Sequence, residues 1–367
     1  MKFRKKQSAL ESAQKAAEEA LNETNKKIEE LGNHTNDLYV ELCTIQEVFD
    51  KIRNIPSDKQ IEYDQLKEIR LNWKQQAEKI EKDYTVAQAK QAGAGAVGAG
   101  LGVTVVTMGP TAAMGIATTF GVASTGTAIS SLSGAAATNA ALAWLGGGAI
   151  AAGGGGMAAG EALCALAGPI GWAIAAASLI TTGLLFWKNR SDKKHLEDVF
   201  TLISERDVNS FNLAIVELNE RIVRIDDEAK KLHKATDRIE SFGLDYDKMT
   251  EKQQYELGAY VNLMLASTQL LVNPIISLQP KYSEVDYNEY LSWKNKSNDS
   301  KNKNLIICLC LQLYKIELND RDKKLFRKCI RKNKEMLKHL DVKKKDVTSD
   351  LINEVMDALN HKYDICE

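Results

Sequence analysis

The chain has 367 residues, of which 48 are Lys or Arg and 49 are Asp or Glu, so its net charge at pH 7 is −1. This balance argues against binding nucleic acid over the whole surface, and the length allows two or three domains. Five prolines and 7% aromatic residues favour helices over a turn-rich β fold. Of the 24 glycines, 21 lie between Gly93 and Gly183, and this segregation divides the chain.

Composition predicts four domains. The apolar block, residues 91–187, contains a single formally charged side chain, Glu161, whereas both flanks are rich in charged, helix-favouring residues. We therefore predict an N-terminal helical arm, a hydrophobic Gly/Ala-rich membrane-insertion region, a second helical arm and a basic helical C-terminal module. Their ranges are 1–90, 91–187, 188–280 and 281–367.

In the N-terminal arm, apolar and Thr residues recur in steps of three and four from Ala17 to Ile52, a heptad seam typical of a long coiled-coil helix. The seam predicts one helix of at least ~36 residues that ends before Pro56. Ser57 or Asp58 then offers a cap for a second helix, which we expect to form an antiparallel hairpin with the first. The seam consists of Ala17, Leu21, Thr24, Ile28, Leu31, Thr35, Leu38, Leu42, Ile45, Phe49 and Ile52. The apolar face of the second helix consists of Leu66, Ile69, Trp73, Ile80, Tyr84 and Ala87.

The second arm repeats the three-four spacing from Val208 to Ile239, with Ser191 as a cap and Gly243 as a stop. A further helix, over residues 250–272, is more apolar all round and is expected to be buried between the longer helices. The sequence thus predicts an all-α fold: an elongated bundle of long coiled-coil helices that encloses the Gly/Ala-rich hydrophobic hairpin region, plus a small helical C-terminal module.

The C-terminal module begins with a polar stretch, residues 283–300, that closes in a linker. An apolar run follows at 305–318, and a final helix is predicted at 351–359. Between them, residues 321–345 hold twelve Lys or Arg and three acidic residues, a net charge of +9. Anionic lipid headgroups attract such a segment, and a solvated helix face is the alternative explanation.

Interleaved aromatic residues are missing from the basic segment apart from Phe326, which argues against a nucleic-acid partner. We expect a lipid bilayer as the partner instead. The predicted headgroup-contacting residues are Lys188, Arg190, Arg327, Lys328, Arg331 and Lys332.

The apolar block is long enough for three or four transmembrane passes of ~20 residues each. Its best candidate pass, residues 163–187, ends in Trp187 with basic residues just beyond, as at a membrane interface. Small residues four apart let helices approach closely in lipid. Because Gly and Ala bury little area, the soluble form is expected to be metastable. The predicted membrane-insertion residues are Leu163, Trp172, Phe186, Trp187, Gly156 and Gly160.

Two alternatives stand beside membrane insertion of this block: a close-packed soluble core and a disordered low-complexity linker. Glu161 is costly in lipid, so we predict that it lines a pore or sets its selectivity; the alternative is a position at a hairpin tip near the interface.

Enzymatic chemistry is not indicated. The run from Gly93 to Gly98 matches a dinucleotide-binding motif by letter, but no predicted strand precedes it. The five histidines lack metal-ligand spacing, and Cys308 and Cys310 lie in an apolar run. We therefore expect no enzyme activity, no catalytic residues, no cofactor and no metal.

The cysteine pattern predicts free thiols in a reducing compartment. The basic start meets acidic residues where a signal peptide has its apolar region, so no cleavable signal peptide is predicted. We expect a soluble form that is cytoplasmic, or exported without a cleaved peptide, and an active form at the membrane.

Long heptad arms around an apolar hairpin resemble the α-helical pore-forming toxins of the cytolysin A and haemolysin BL/Nhe type, over residues 8–275. In that group the soluble monomer stores a hydrophobic head against a helical tail and assembles into a ring at the membrane. The long Gly-rich block, the missing secretory signal and the cationic module differ from the group. These differences leave room for an immune effector that permeabilises the membrane of its own bacterium during phage attack. The apolar block is also similar to those of colicin-like channel formers.

The resemblance implies a membrane-inserting, pore-forming or permeabilising protein that forms a homo-oligomer through its helical arms, with or without a second protein component. The alternative is a non-enzymatic coiled-coil scaffold whose apolar block is an anchor or a packed core.

Overall fold

A computed structural model describes residues 8–93, 110–120, 189–278, 281–282, 284–294, 300–333, 337 and 342–364. Within these residues the fold is all-α, as predicted, and the only strand-like pairing is an isolated bridge between Arg53 and Asp245. The helices are α1 Ala9–Phe49, α2 Ser57–Gly93, α3 Pro110–Phe120, α4 Arg190–Glu240, α5 Glu251–Val272, α6 Glu284–Trp293, α7 Ser300–Leu313, α8 Asp320–Lys332 and α9 Leu351–Asp364. Short 3-10 turns at Tyr246–Lys248 and Ile276–Leu278 flank α5.

The heptad seam of α1 is confirmed, because every one of its predicted residues is buried. The helix begins with a capping box, in which the Ser8 hydroxyl accepts from the backbone N–H of Glu11 and the Glu11 carboxylate accepts from the backbone N–H of Ser8. It ends at Phe49, before Pro56. Its 41 residues span about 60 Å and set the length of the bundle.

Helices α1 and α4 run parallel. Glu41 Oε1 of α1 lies 3.4 Å from His233 Nδ1 of α4. Just beyond the C-terminal ends of both helices, the backbone N–H of Arg53 donates to the carbonyl oxygen of Leu244 at 3.0 Å. The partners are 192 and 191 positions apart in the sequence, so α1 and α4 keep nearly the same register over this stretch, as in a parallel coiled coil.

Helices α2 and α5 run in the opposite direction to this pair. The Tyr63 hydroxyl of α2 donates to the carbonyl oxygen of Gln46 near the end of α1, at 2.9 Å, as the predicted antiparallel hairpin requires. Arg238 near the end of α4 pairs with Glu256 near the start of α5, at 3.2 Å. Two helices up and two helices down thus form an elongated four-helix bundle.

The start of α4 and the burial of α5 both differ from the prediction. Asn189, not Ser191, caps α4: its Oδ1 accepts from the backbone N–H of Ser191 at 3.0 Å, because the helix begins earlier, at Arg190. Helix α5 buries one face rather than all of its surface, and Tyr255 is 81% exposed. It packs against α4 and α2 only from one side, so the other side faces solvent. The predicted stop at Gly243 is confirmed by its φ of +85°.

The C-terminal helices share a second core with the first turns of α4. Phe200 of α4 lies 5.9 Å, ring centroid to ring centroid, from Phe326 of α8. The polar stretch at 283–300 contains a helix that the sequence did not predict, α6, because Tyr287 and Tyr290 bury one face of it. The final helix is confirmed and runs to Asp364. The division of the chain into four domains stays a prediction.

Candidate functional site: a buried apolar helix

Apart from residues 91–93 at the end of α2, helix α3 is the part of the apolar block that the structure describes, and it lies inside the bundle. It begins with Pro110, a residue favoured at the first helical position because its fixed φ suits the helix and its missing N–H needs no partner there. Residues 113–119 are all buried, among α1, α2 and α5. An uncharged helix buried on all sides is surrounded by amphipathic helices that face water.

Helices α1 and α3 are in backbone contact where Gly32 meets Gly115. A Cβ on Gly32 would lie 1.8 Å from the carbonyl oxygen of Thr111, and a Cβ on Gly115 would lie 2.1 Å from the carbonyl oxygen of Ile28. Both distances are far below van der Waals contact, and both obstacles are backbone atoms. Only glycine fits at either position, and the pair lets α3 approach α1 closely.

The far end of α3 is hydrogen-bonded to the segment that follows α5. The backbone N–H of Ile275, just after α5, donates to the carbonyl oxygen of Thr119 at 2.8 Å. The Thr119 hydroxyl donates to the carbonyl oxygen of Gly115 within the helix, at 2.7 Å. The contacts of α3 with α1 are made by apolar and small side chains, of which Met114 and Ile116 are the bulkiest buried ones. Since small side chains remove little area from water, the seat of α3 gains less from burial than a Leu-rich helix of equal length.

A buried arginine lies among α1, α2 and α5, beside the bundle core. Arg70 of α2 is 2% exposed, and its guanidinium donates to the Thr268 hydroxyl of α5 at 3.3 Å and to the side-chain oxygen of Gln46 of α1. Both partners are neutral. Burial lowers the pKa of Arg70, because the surroundings disfavour its charge. The group fixes three helices in register, but at the cost of a desolvated charge.

The basic residues predicted to contact headgroups divide between two helices. Arg190 is exposed at the start of α4, while Arg327, Lys328, Arg331 and Lys332 lie on α8. Helix α8 is amphipathic, with one buried face formed by Asp322, Leu325, Phe326, Cys329 and Ile330. Its remaining surface is basic.

Helix α8 lies against the first turns of α4. Arg321 at its start pairs with Asp192 at 2.9 Å and also donates to the Ser191 hydroxyl at 3.0 Å. Asp322 lies 3.5 Å from His195 one turn further on. The basic helix is thereby placed beside the end of α4 at which the chain leaves the apolar block.

The other predicted site residues lie outside the residues that the structure describes. They are Leu163, Trp172, Phe186, Trp187, Gly156, Gly160, Glu161 and Lys188. The structure therefore neither brings them together nor separates them.

Sequence reasoning missed the two glycines of the helix crossing and the buried arginine. A signal for Gly32 was present, because it is the only glycine in a 41-residue helix with an unbroken heptad seam. An isolated glycine in such a pattern marks a close approach of another backbone. Gly115 was hidden among the many glycines of the block.

Two further properties of the described residues bear on function. Among the described residues, one helical span, Glu251–Leu278, is long and apolar enough to cross a membrane. A core helix of a soluble bundle meets the same criterion, and α5 packs against α2 and α4, so this span does not carry a membrane role by itself. The same part of the chain contains no group of three or more His, Cys, Asp or Glu side chains that could hold a metal ion.

Comparison with known proteins found no protein family, no curated protein and no solved structure that matches the chain.

Proposed function

We propose that this is a membrane-permeabilising protein, which keeps an apolar block out of water inside a helical bundle and delivers it to a bilayer as an assembled homo-oligomer. The observation that carries the proposal is the burial of residues 113–119 among three amphipathic helices. These residues belong to a stretch of 97 with one formal charge, whereas α1 and α2 beside them are rich in charged residues.

Two features of the packing around α3 favour its departure from the bundle. Among its buried residues, Ala113, Ala117 and Gly115 are small, so the burial of α3 stabilises its position less than that of a Leu-rich helix of equal length. Arg70 nearby is buried and donates hydrogen bonds to the neutral side chains of Thr268 and Gln46, and its guanidinium regains hydration when the bundle opens. A soluble form of this kind is expected to be stable enough to fold and to change partners when a bilayer is available.

The experiment is dye release from sealed vesicles, followed alongside vesicle sedimentation. Purified protein is expected to bind vesicles and to release dye, and the assembled form is expected to appear as rings or arcs by negative-stain microscopy in detergent. Protein that neither binds nor permeabilises vesicles at any lipid composition or pH would overturn the proposal.

The second candidate function is a non-enzymatic coiled-coil scaffold with a packed apolar core. The close fit of Gly32 against Gly115 favours it, because such complementarity is also typical of permanent interiors. Binding to vesicles without leakage, or no binding, together with a stable oligomer in solution, is the result expected of the scaffold.

A further inference from the structure

The outer face of α8 concentrates positive charge beyond the first turn of the helix. Lys324 and Lys328 are exposed one turn apart, and Arg327 is half-buried beside them. None of the three has an ion-pair partner within the part of the chain that the structure describes. The acidic residues of this helix, Asp320 and Asp322, both lie in its first turn.

Several exposed charges on α1 and α4 are neutralised by ion pairs within the same helix. On α1, Lys15 pairs with Glu19 at 3.4 Å, and on α4, Lys231 pairs with Asp227 at 2.7 Å. Such pairs four residues apart balance an exposed helix face. Because the structure shows no such pair for Lys324, Arg327 or Lys328 among the residues that it describes, these side chains attract anions from outside the chain.

Packing fixes where this face lies. The ion pair of Arg321 with Asp192 and the ring contact of Phe326 with Phe200 hold α8 along the first three turns of α4. Glu240, at the opposite end of α4, lies about 75 Å from Arg190, because each helical residue adds 1.5 Å. The unpaired basic face is thus at the end of the bundle at which the apolar block rejoins it.

We propose that the basic face of α8, formed by Lys324, Arg327, Lys328 and Arg331, docks the protein on an anionic phospholipid membrane and brings the entrance of the apolar block to that surface. The charge of the face complements phospholipid headgroups, and its one aromatic residue, Phe326, is buried and unable to stack on a base. Docking deepens the proposed membrane function and rests on it, but it is measured by binding and not by leakage.

The test compares two double variants of the full chain. Lys324→Gln with Lys328→Gln removes two charges from the basic face. Lys51→Gln with Lys252→Gln is the matched control, because these lysines are equally exposed, have no ion pair among the described residues and lie at the far end of the bundle. Circular dichroism checks that each variant is folded.

Sedimentation with phosphatidylglycerol–phosphatidylcholine vesicles is expected to show about 30-fold weaker partitioning for the α8 variant, at roughly 1 kcal/mol per basic contact. The control is expected to bind as the wild type does, and added salt should weaken binding of both. Equal binding by the two variants overturns docking through α8, as does wild-type binding that ignores anionic lipid or prefers duplex DNA to vesicles. Wild-type binding without dye release retains the docking face and overturns permeabilisation, so the two failures are distinct.

Discussion

Gly32 of α1 and Gly115 of α3 face each other so closely that the backbone nitrogen of Gly32 lies 3.1 Å from where a Cβ on Gly115 would stand. At this pair, helix α1 contacts α3, which belongs to the apolar block. A Gly→Ala substitution at this contact adds one methyl group and therefore shows whether function requires α3 to remain packed against α1.

We expect Gly32→Ala to loosen α3. The new Cβ meets the carbonyl oxygen of Thr111, and separating the helices costs about 1–3 kcal/mol, against roughly 1 kcal/mol gained from the better helix propensity of Ala. The free energy of unfolding in urea should fall, and dye release should become faster. Gly258→Ala in α5 is the control: nothing lies within 4 Å of its Cβ, so it should stabilise the fold by about 0.5–1 kcal/mol.

Gly115→Ala tests the same crossing from the side of α3, where the obstacle is the carbonyl oxygen of Ile28. The expected changes in unfolding and dye release have the same direction as for Gly32→Ala. If both variants are destabilised and neither releases dye faster, α3 is a permanent core helix and the scaffold function is favoured. If either is as stable as the wild type, the crossing is looser than the structure describes.

The seam of α1 could be predicted because a heptad repeat is a local pattern and every buried residue lies within a few positions of the next. The crossing of α1 and α3 could not be predicted, since Gly32 and Gly115 are 83 positions apart and the sequence around one glycine does not indicate that it contacts the other. Arg70 was missed for a different reason. A charged residue on a predicted helix is expected at the surface, and only the positions of Gln46 and Thr268 on two other helices explain its burial.

The placement of α6 shows the same limit. Its sequence lies in a stretch that is polar overall and ends in the predicted linker, so no helix is predicted there, but Tyr287 and Tyr290 lie three residues apart and pack in the second core. The tertiary partner, rather than the composition, decides that this segment is helical.

We expect Arg70→Met to preserve or raise stability. Replacing a buried ion pair by apolar side chains of similar volume is often neutral or stabilising by about 1–4 kcal/mol, and removing the charge of Arg70 likewise removes its desolvation cost, although the lost hydrogen bonds to Gln46 and Thr268 offset part of the gain. If the buried charge favours opening of the bundle, the variant should also release dye more slowly. Urea unfolding and dye release measure the two effects. Arg70→Ala is the comparison: it leaves a cavity and should destabilise the protein, and a Met variant as unstable as the Ala variant contradicts this account.

The pair of Arg206 and Asp207 predicts a pH dependence of stability. Arg206 donates to Asp207 Oδ1 at 2.7 Å and to the carbonyl oxygens of Gln312 and Tyr314, which ties α4 to the end of α7. Burial raises the pKa of Asp207 from 3.8 to about 6, although Arg206 opposes the shift. Between these pH values the folded state retains a proton that the unfolded state loses, so the contribution of Asp207 to stability falls as the pH rises.

Asp207→Asn should remove this contribution. The difference in unfolding free energy between wild type and variant should change by up to about 1.4 kcal/mol per pH unit between pH 4 and 6 and level off outside that range. Urea titrations at several pH values measure it. Asp226→Asn, on the same helix, is the control: the hydrogen bond from Lys230 lowers the pKa of Asp226, so any slope that it contributes has the opposite sign. A constant difference from pH 4 to pH 7 contradicts the raised pKa.

Glu161 is the one carboxylate among 97 otherwise uncharged residues, and this isolated charge predicts a role in a permeation pathway. If it lines a permeation pathway, its charge attracts cations, and Glu161→Gln should reduce cation preference and flatten the pH dependence of conductance. Reversal potentials across planar bilayers under a KCl gradient measure the first effect. Glu240→Gln, an exposed carboxylate at the end of α4, is the control and should leave the reversal potential unchanged. Normal conductance with unchanged selectivity and pH dependence in the Glu161 variant places that carboxylate outside the pathway, at an interface or hairpin tip.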